Sequence, residues 1–268
     1  MNKIIQNFNE LSSDKKDKAI SQLDYLKENK LIKEKTDAAK FFDKNSYVVI
    51  KDFISKEICN LLYEKIKLSA KNLAFMLHYE DYIKKEIKFK LDKNVTFYEN
   101  IDQIYGRFND KQALGDYSKY GDPVFDTLLK INMNKLEDIL CKKLYPTYTY
   151  HRLYTTGTIL ERHKDRPSCE ISATVCLGFD TSNLNEKYNW KIYVEKNEEE
   201  KGIELEPGDM LIYRGCDVDH WREPFKGLNH AQVFLHFNEN KDSFENLNDG
   251  RNELGLNEFF RYLPFLKY

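Results

Sequence analysis

The chain has 268 residues, with 42 Lys and Arg against 44 Asp and Glu, which gives a formal net charge of −2 at neutral pH. It lacks the basic excess that binds phosphate backbones, so we expect no nucleic-acid partner. The length suffices for one large domain with a substantial core. With 18 Tyr and 17 Phe, the composition argues against global disorder and favours a β-rich core.

The cysteine pattern and the N-terminal residues are used to predict the cellular compartment of the protein. No two of the five cysteines form a CxxC pair; they are Cys59, Cys141, Cys169, Cys176 and Cys216. An odd number without such spacing predicts free thiols in a reducing, cytoplasmic environment. The first residues lack the sustained apolar stretch of a signal peptide, and we expect no membrane-spanning run. The sequence leaves the oligomeric state open.

The first part of the chain is predicted to be helical. Residues 1–45 carry many charges, with Ile20, Leu23 and Leu26 at helical spacing, and Ser12 to Asp14 offer an N-cap. We expect a helical extension here, in front of a single domain of residues 46–268.

The next elements alternate between regular and irregular segments. Residues 46–50 are a run of β-formers, and residues 56–76 have the apolar stripe of an amphipathic helix with Ser55 as its N-cap. Residues 80–122 show no clear period and could be a lid or binding loop, or an insertion packed on the core. Residues 123–144 return to a helical pattern.

From residue 146 onward the sequence pattern is that of β-strands. Seven or eight short runs of β-forming residues, separated by turn signals, occupy residues 147–238. This regular spacing predicts a β-sandwich or barrel. A short helix is expected in the tail, over residues 252–268.

A candidate metal site stands within these strands. His163 and Asp165 are separated by one residue, so both side chains project from the same side of an extended strand. His220 follows 57 residues later, after a turn and strand at 207–213 that would return the chain to the same end of a barrel. Two His and one carboxylate on one face, with other positions open, form the facial triad of non-haem iron(II) oxygenases.

These features together resemble the iron(II)- and 2-oxoglutarate-dependent dioxygenases, especially their prolyl-4-hydroxylase-like and phytanoyl-hydroxylase-like branches. Besides the His-x-Asp pair, the resemblance rests on the Tyr-Val-Val-Ile-Lys-Asp-Phe-Ile-Ser segment at 47–55, on Tyr154 with Gly157, on the Pro-Gly-Asp turn at 207–209, and on His220. It covers most of residues 47–237.

The resemblance implies an α+β fold that is mainly β, with a double-stranded β-helix (jelly-roll) core at about 147–238, N-terminal helices and a short C-terminal helix. It implies that His163, Asp165 and His220 are catalytic residues that bind iron(II). It further implies 2-oxoglutarate, bound to iron through its 2-oxo acid end, and dioxygen as co-substrates, with release of succinate and carbon dioxide. The carboxylate at Asp165 argues against the halogenating members of the family.

One position departs from the family pattern. The family usually has an Arg or Lys about ten residues after the distal His, where it pairs with the far carboxylate of 2-oxoglutarate. This chain has His230 there. Other candidates for that role are Arg222, Lys191 and Arg152, of which an Arg is favoured because its fork binds a carboxylate bidentately. Tyr154 is a candidate hydroxyl donor to the same carboxylate.

The substrate is less defined than the metal. Arg166 could hold an anionic substrate group or pair with Glu170, and Trp221 could line the pocket or belong to the core. We expect hydroxylation of an unactivated C–H bond in a small metabolite or amino acid, or in a protein side chain of prolyl type. The alternative is a non-catalytic cupin-type protein that binds a metal or ligand. A third hypothesis is an interaction protein whose His-x-Asp pair is accidental.

Overall fold

The computed structural model describes residues 12–28, 35–79, 104–239, 244–256, 258 and 261. Its α-helices are α1 (Ser13–Glu28), α2 (Asp37–Asn45), α3 (Lys56–His78) and α4 (Pro123–Leu140). Short 3-10 segments cover Pro167–Cys169 and Phe244–Gly250. Among the helices of this described part, none is both long and apolar enough to cross a membrane.

Within the described residues, ten strands form two antiparallel sheets. The strands are β1 (Tyr47–Ile50), β2 (Tyr117–Tyr120), β3 (Tyr145–Thr155), β4 (Leu160–His163), β5 (Ile171–Asp180), β6 (Ile192–Lys196), β7 (Glu199–Ile203), β8 (Met210–Tyr213), β9 (Asp219–Arg222) and β10 (Asn229–Asn238). The major sheet has the order β1-β8-β5-β10-β3-β2, and the minor sheet β4-β9-β6-β7. Strands β3 to β10 thus pass back and forth between two facing sheets, which confirms the predicted jelly roll.

The major sheet separates an apolar layer from a polar interior. Along β10, Val233, Leu235 and Phe237 pack in the main hydrophobic core with Leu62 and Ile66 of α3. The residues between them point to the other face, because successive side chains of a strand alternate. Helices α2 to α4 therefore cover one face of the sheet, and the other face lines the inside of the jelly roll.

Local sequence signals set most element ends. As predicted, α3 begins after Ser55, whose side chain accepts a hydrogen bond from the Ile58 amide at 3.4 Å. The helix predicted over 123–144 ends earlier, at Leu140. Cys141 there adopts a left-handed conformation (φ 50°) and its amide bonds to the Glu137 carbonyl.

The helix α2 belongs to the packing of the domain, because Ala39 and Phe42 are fully buried and Phe42 lies in the main core. The predicted division of the chain after residue 45 stays a prediction. Of the irregular segment, residues 80–103 lie outside the described residues, and 104–122 contain β2. Most of the tail over which a helix is predicted also lies outside them.

A buried ion pair ties the segment after β10 to helix α4. Arg251 Nη1 lies 2.8 Å from Asp126 Oδ2, and the two side chains are 0% and 1% exposed. The same carboxylate accepts hydrogen bonds from the Thr149 hydroxyl at 2.6 Å and the Gly255 amide at 2.8 Å. The carboxylate therefore fixes three separate parts of the chain.

We expect Arg251→Ala to lower the free energy of unfolding by about 3–5 kcal/mol, because it leaves the Asp126 charge buried without its partner. Urea denaturation followed by circular dichroism measures the change. Lys40→Ala is the control, since it breaks an exposed pair with Asp37 and should have little effect. Equal effects of the two substitutions would contradict this assignment.

Candidate metal centre

Three side chains converge at the end of the jelly roll where β4 meets β9. His163 and His220 are direct partners across this strand pair, and their ring centroids lie 4.2 Å apart. Asp165 follows β4 and turns its Oδ1 toward both rings, 3.8 Å from His163 Nε2 and 3.5 Å from His220 Nε2. One ligand atom from each residue lies within 4.8 Å of the others, a spacing that could hold a metal ion.

Backbone carbonyls orient both imidazoles. His163 Nδ1 lies 2.7 Å from the Glu161 carbonyl, and His220 Nδ1 lies 3.1 Å from the Val218 carbonyl. A carbonyl oxygen can only accept, so each Nδ1 carries the proton and donates it. Both Nε2 lone pairs consequently face the centre, which is the arrangement that metal-binding histidines need.

The pKa values of side chains at the centre also favour the binding of a cation. Burial acts to raise the pKa of the Asp165 carboxyl, but interactions with His220 and with the Ser172 hydroxyl outweigh it and hold the pKa well below its ordinary value. Burial, together with the nearby His220, lowers the pKa of His163. At neutral pH the site therefore presents an ionised Asp165 carboxylate beside a neutral His163 imidazole.

A cavity of about 380 Å³ opens beside the three residues. Its wall near the centre includes Tyr148, Tyr150, Arg152, Arg166 and His236. The centre is thus enclosed by protein on the strand side and open on the cavity side. A ligand of modest size could reach a bound ion from there.

Deeper in the jelly roll lies a buried cation without an anion. Arg222 is 1% exposed, donates from Nη1 to the Trp190 carbonyl at 2.5 Å, and makes no ion pair with any carboxylate of the described residues. Its Nε and Nη2 have no hydrogen-bond partner there. The His230 Nδ1, both Gln232 amide atoms and the Tyr154 hydroxyl are buried without partners as well. Such atoms are costly to leave unpaired, so this interior suits a polar, anionic ligand.

The other predicted anchors differ in position. Arg152 is buried on the cavity wall, but its Nη2 is held by Asp110 at 2.9 Å and by Gln112 at 2.8 Å. Lys191 is exposed and pairs with Glu204 at 3.4 Å; like Arg222, it is not part of the cavity wall. His230 is buried, and burial together with the charge of Arg222 keeps its pKa well below the ordinary value.

Of the two predicted substrate residues, one lines the cavity and the other does not. Arg166 lies on the cavity wall, bound to Asp249 at 2.7 and 3.0 Å rather than to Glu170. Trp221 stacks on Tyr193 with ring centroids 5.5 Å apart, and it does not line the cavity. Strand alternation carries the signal for this, because a neighbour of the inward-facing His220 must point outward.

Two residues beside the centre were not among the predicted site residues. Ser172 donates a hydrogen bond to Asp165 Oδ2 at 2.6 Å, and His236 lies 3.0 Å from the Ser172 hydroxyl. Asp165, Cys169 and His236 also form a second group whose possible ligand atoms lie within 4.8 Å of one another. No local motif identifies these residues, because strand pairing far along the chain brings them together.

No protein-family model matches the chain, and no curated protein matches it. Similar solved structures include EctD from S. alaskensis in its apo form (15% identity, TM-score 0.49, 75% of each chain covered). They also include a Pseudomonas putida prolyl-4-hydroxylase (13% identity, TM-score 0.48, 76% of this chain and 97% of that one). A third is HygX from Streptomyces hygroscopicus with nickel and 2-oxoglutarate bound (13% identity, TM-score 0.47, 78% of this chain and 89% of that one). Values this low say nothing about chemistry, which has to be inferred from the side chains of this chain.

We expect His163→Ala and His220→Ala each to weaken binding of Ni(II), a redox-stable probe. The loss should exceed the roughly 10- to 100-fold that removal of an outer partner costs, because a direct ligand is lost. Equilibrium dialysis of the folded proteins measures it. His78→Ala is the control, since that exposed residue at the end of α3 lies outside the centre. Wild-type affinity in the His220 variant would contradict the ligand set.

Proposed function

We propose that this protein is an Fe(II)- and 2-oxoglutarate-dependent dioxygenase that hydroxylates an unactivated C–H bond and releases succinate and carbon dioxide. The observation that carries the proposal is the convergence of His163, Asp165 and His220 on one side of a centre whose other side faces a cavity. Two imidazoles and one carboxylate with open positions are the ligand set of non-haem iron(II) oxygenases.

When bound, iron(II) supplies the redox chemistry that couples decarboxylation of 2-oxoglutarate to hydroxylation of the substrate. The protein supplies the geometry and charge. The two imidazoles present lone pairs fixed by backbone carbonyls, and Asp165 contributes one negative charge. One carboxylate does not neutralise a divalent ion, so the remaining positive charge favours an anionic chelating co-substrate.

Arg222 is the residue that we assign to the far carboxylate of 2-oxoglutarate. It lies two residues after His220 on the same face of β9, about 7 Å along the strand. Its unpaired Nε and Nη2 could donate to one carboxylate, and the buried Tyr154 hydroxyl and Gln232 amide could add further bonds. A dianion that reaches from the metal to Arg222 would satisfy the buried groups that are otherwise unpaired.

The competing anchors fit less well. Arg152 is already paired with Asp110, and Lys191 is exposed to solvent and paired with Glu204. His230, which stands at the usual family position, is a neutral imidazole beside Arg222 rather than a cation. We therefore propose that the positive charge has moved to β9 in this chain, while His230 supplies a hydrogen-bonding group.

The cavity limits the substrate. At about 380 Å³ it is near the lower end of ligand pockets, which suits a small metabolite, an amino acid or a single protein side chain such as proline. Arg166 on its wall is neutralised by Asp249, so we do not assign it an anionic substrate group. The substrate classes remain those proposed from the sequence.

The proposal predicts that protein supplied anaerobically with Fe(II) develops a visible metal-to-ligand charge-transfer band on addition of 2-oxoglutarate. On admission of oxygen with ascorbate, 2-oxoglutarate should be converted to succinate. Asp165→Ala should show neither signal. Stoichiometric metal binding without the band, and without succinate over a broad substrate panel, would favour the non-catalytic cupin-type alternative.

Arg222→Met should weaken 2-oxoglutarate binding about 10- to 100-fold, because one charge-assisted bidentate contact contributes about 1.5–3 kcal/mol. Titration of the anaerobic Fe(II) protein measures this, and Fe(II) affinity itself should not change. The variant without ligands should melt no lower than wild type, since a buried unpaired charge has been removed. Lys191→Met is the control. Unchanged 2-oxoglutarate affinity in Arg222→Met would refute this anchor.

A further inference from the structure

A chain of hydrogen bonds leads away from the centre on the side opposite the metal-facing oxygen. Asp165 Oδ1 faces the two imidazoles, whereas Oδ2 accepts from the Ser172 hydroxyl at 2.6 Å. The Ser172 oxygen lies 3.0 Å from His236 Nδ1. Ser172 and His236 are fully or almost fully buried and are direct partners across the β5–β10 pair.

The direction of each bond follows from the chemistry of the groups. The Ser172 hydroxyl has a single proton, and its short contact with the carboxylate donates that proton to Asp165 Oδ2. The Ser172 oxygen is then an acceptor toward His236, and His236 must carry its proton on Nδ1. The two hydrogen bonds therefore point the same way, from His236 to Ser172 and from Ser172 to Asp165. They leave the carboxylate one free oxygen, Oδ1.

Neighbouring backbone and side-chain atoms restrict the movement of the Asp165 carboxylate. The Asp165 amide donates to the Gly215 carbonyl at 2.9 Å. A Cβ atom at Gly215 would lie 2.4 Å from Asp165 Oδ2 and 2.7 Å from Ser172 Oγ, which only glycine avoids. The His236 ring is held against Tyr148, with centroids 4.5 Å apart. The carboxylate therefore has little freedom to rotate.

We propose that Ser172 and His236 are positioning residues that occupy Oδ2 and so make Asp165 a ligand through one oxygen only. The inference rests on the proposed iron site. A carboxylate free to rotate could bind through both oxygens and fill a position that the co-substrates need. Occupation of Oδ2 keeps that position available and also aligns Oδ1 with the two imidazole nitrogens.

The test compares Ser172→Ala, His236→Phe, His236→Asn and the double variant Ser172→Ala/His236→Phe. The probe is Co(II), whose visible spectrum reports coordination number and whose affinity is measured by competition dialysis. We expect Ser172→Ala and His236→Phe each to weaken Co(II) binding about 10- to 100-fold and to change the spectrum. The double variant should lose no more than the worse single variant, because both act through one chain of bonds.

His236→Asn is the conservative variant, because its side-chain amide can donate from near the position of Nδ1. It should recover most of the affinity and the wild-type spectrum that His236→Phe loses. Ser69→Ala is the control; it removes a hydroxyl bonded to a helix carbonyl on α3, remote from the centre. Thermal melts of every variant show whether affinity changes follow folding.

The outcomes separate this inference from the proposed function. If wild type binds no stoichiometric metal, the iron site and this inference both fail. If wild type binds Co(II) and the folded Ser172 and His236 variants bind it equally with the same spectrum, only the positioning role fails. Additive losses in the double variant, with no recovery in His236→Asn, would likewise overturn it in favour of independent packing effects.

Discussion

The candidate centre depends on the register of one antiparallel strand pair, β4 with β9. His163 faces His220 across this pair, and Leu160 faces Arg222. A shift of β9 by one residue would turn His220 outward and bring Trp221 inside, because side chains alternate between the two faces. The outer face resists such a shift, since Trp221 is stacked on Tyr193 and covered by the Arg162 guanidinium at 4.8 Å from its ring. This contact specifies the register.

Local patterns in the sequence predict what depends on neighbouring residues. The period of two along the strands, the cap at Ser55 and the spacing of His163 and Asp165 are such patterns, and the corresponding elements are present. Alternation also implies that Arg222 shares the face of His220. The Ser172–His236 contact could not be predicted this way, because it depends on how β5 pairs with β10, more than 60 residues apart in the chain. The early end of α4 depends on the single backbone conformation of Cys141.

The two faces of the major sheet serve different purposes. The face toward the helices is filled by apolar residues such as Val233 and Leu235, and it carries the stability of the fold. The inner face bears Gln232 and His230, whose buried polar atoms lack partners among the described residues, and Arg222 of the minor sheet lies in the same interior. Burying such groups costs free energy. The inner face is therefore organised for a ligand, at the expense of stability that apolar residues would have added.

The position of β4 has a consequence for local stability. It has only four residues, lies at the edge of the minor sheet, and pairs with β9 alone, with an irregular register between Leu160 and His163. An ion held by His163 and His220 would join the two strands through their side chains where the ladder of backbone bonds is weakest. Metal occupancy would then be coupled to fraying of this edge, so that hydrogen exchange in β4 would report the loading of the centre before any turnover takes place.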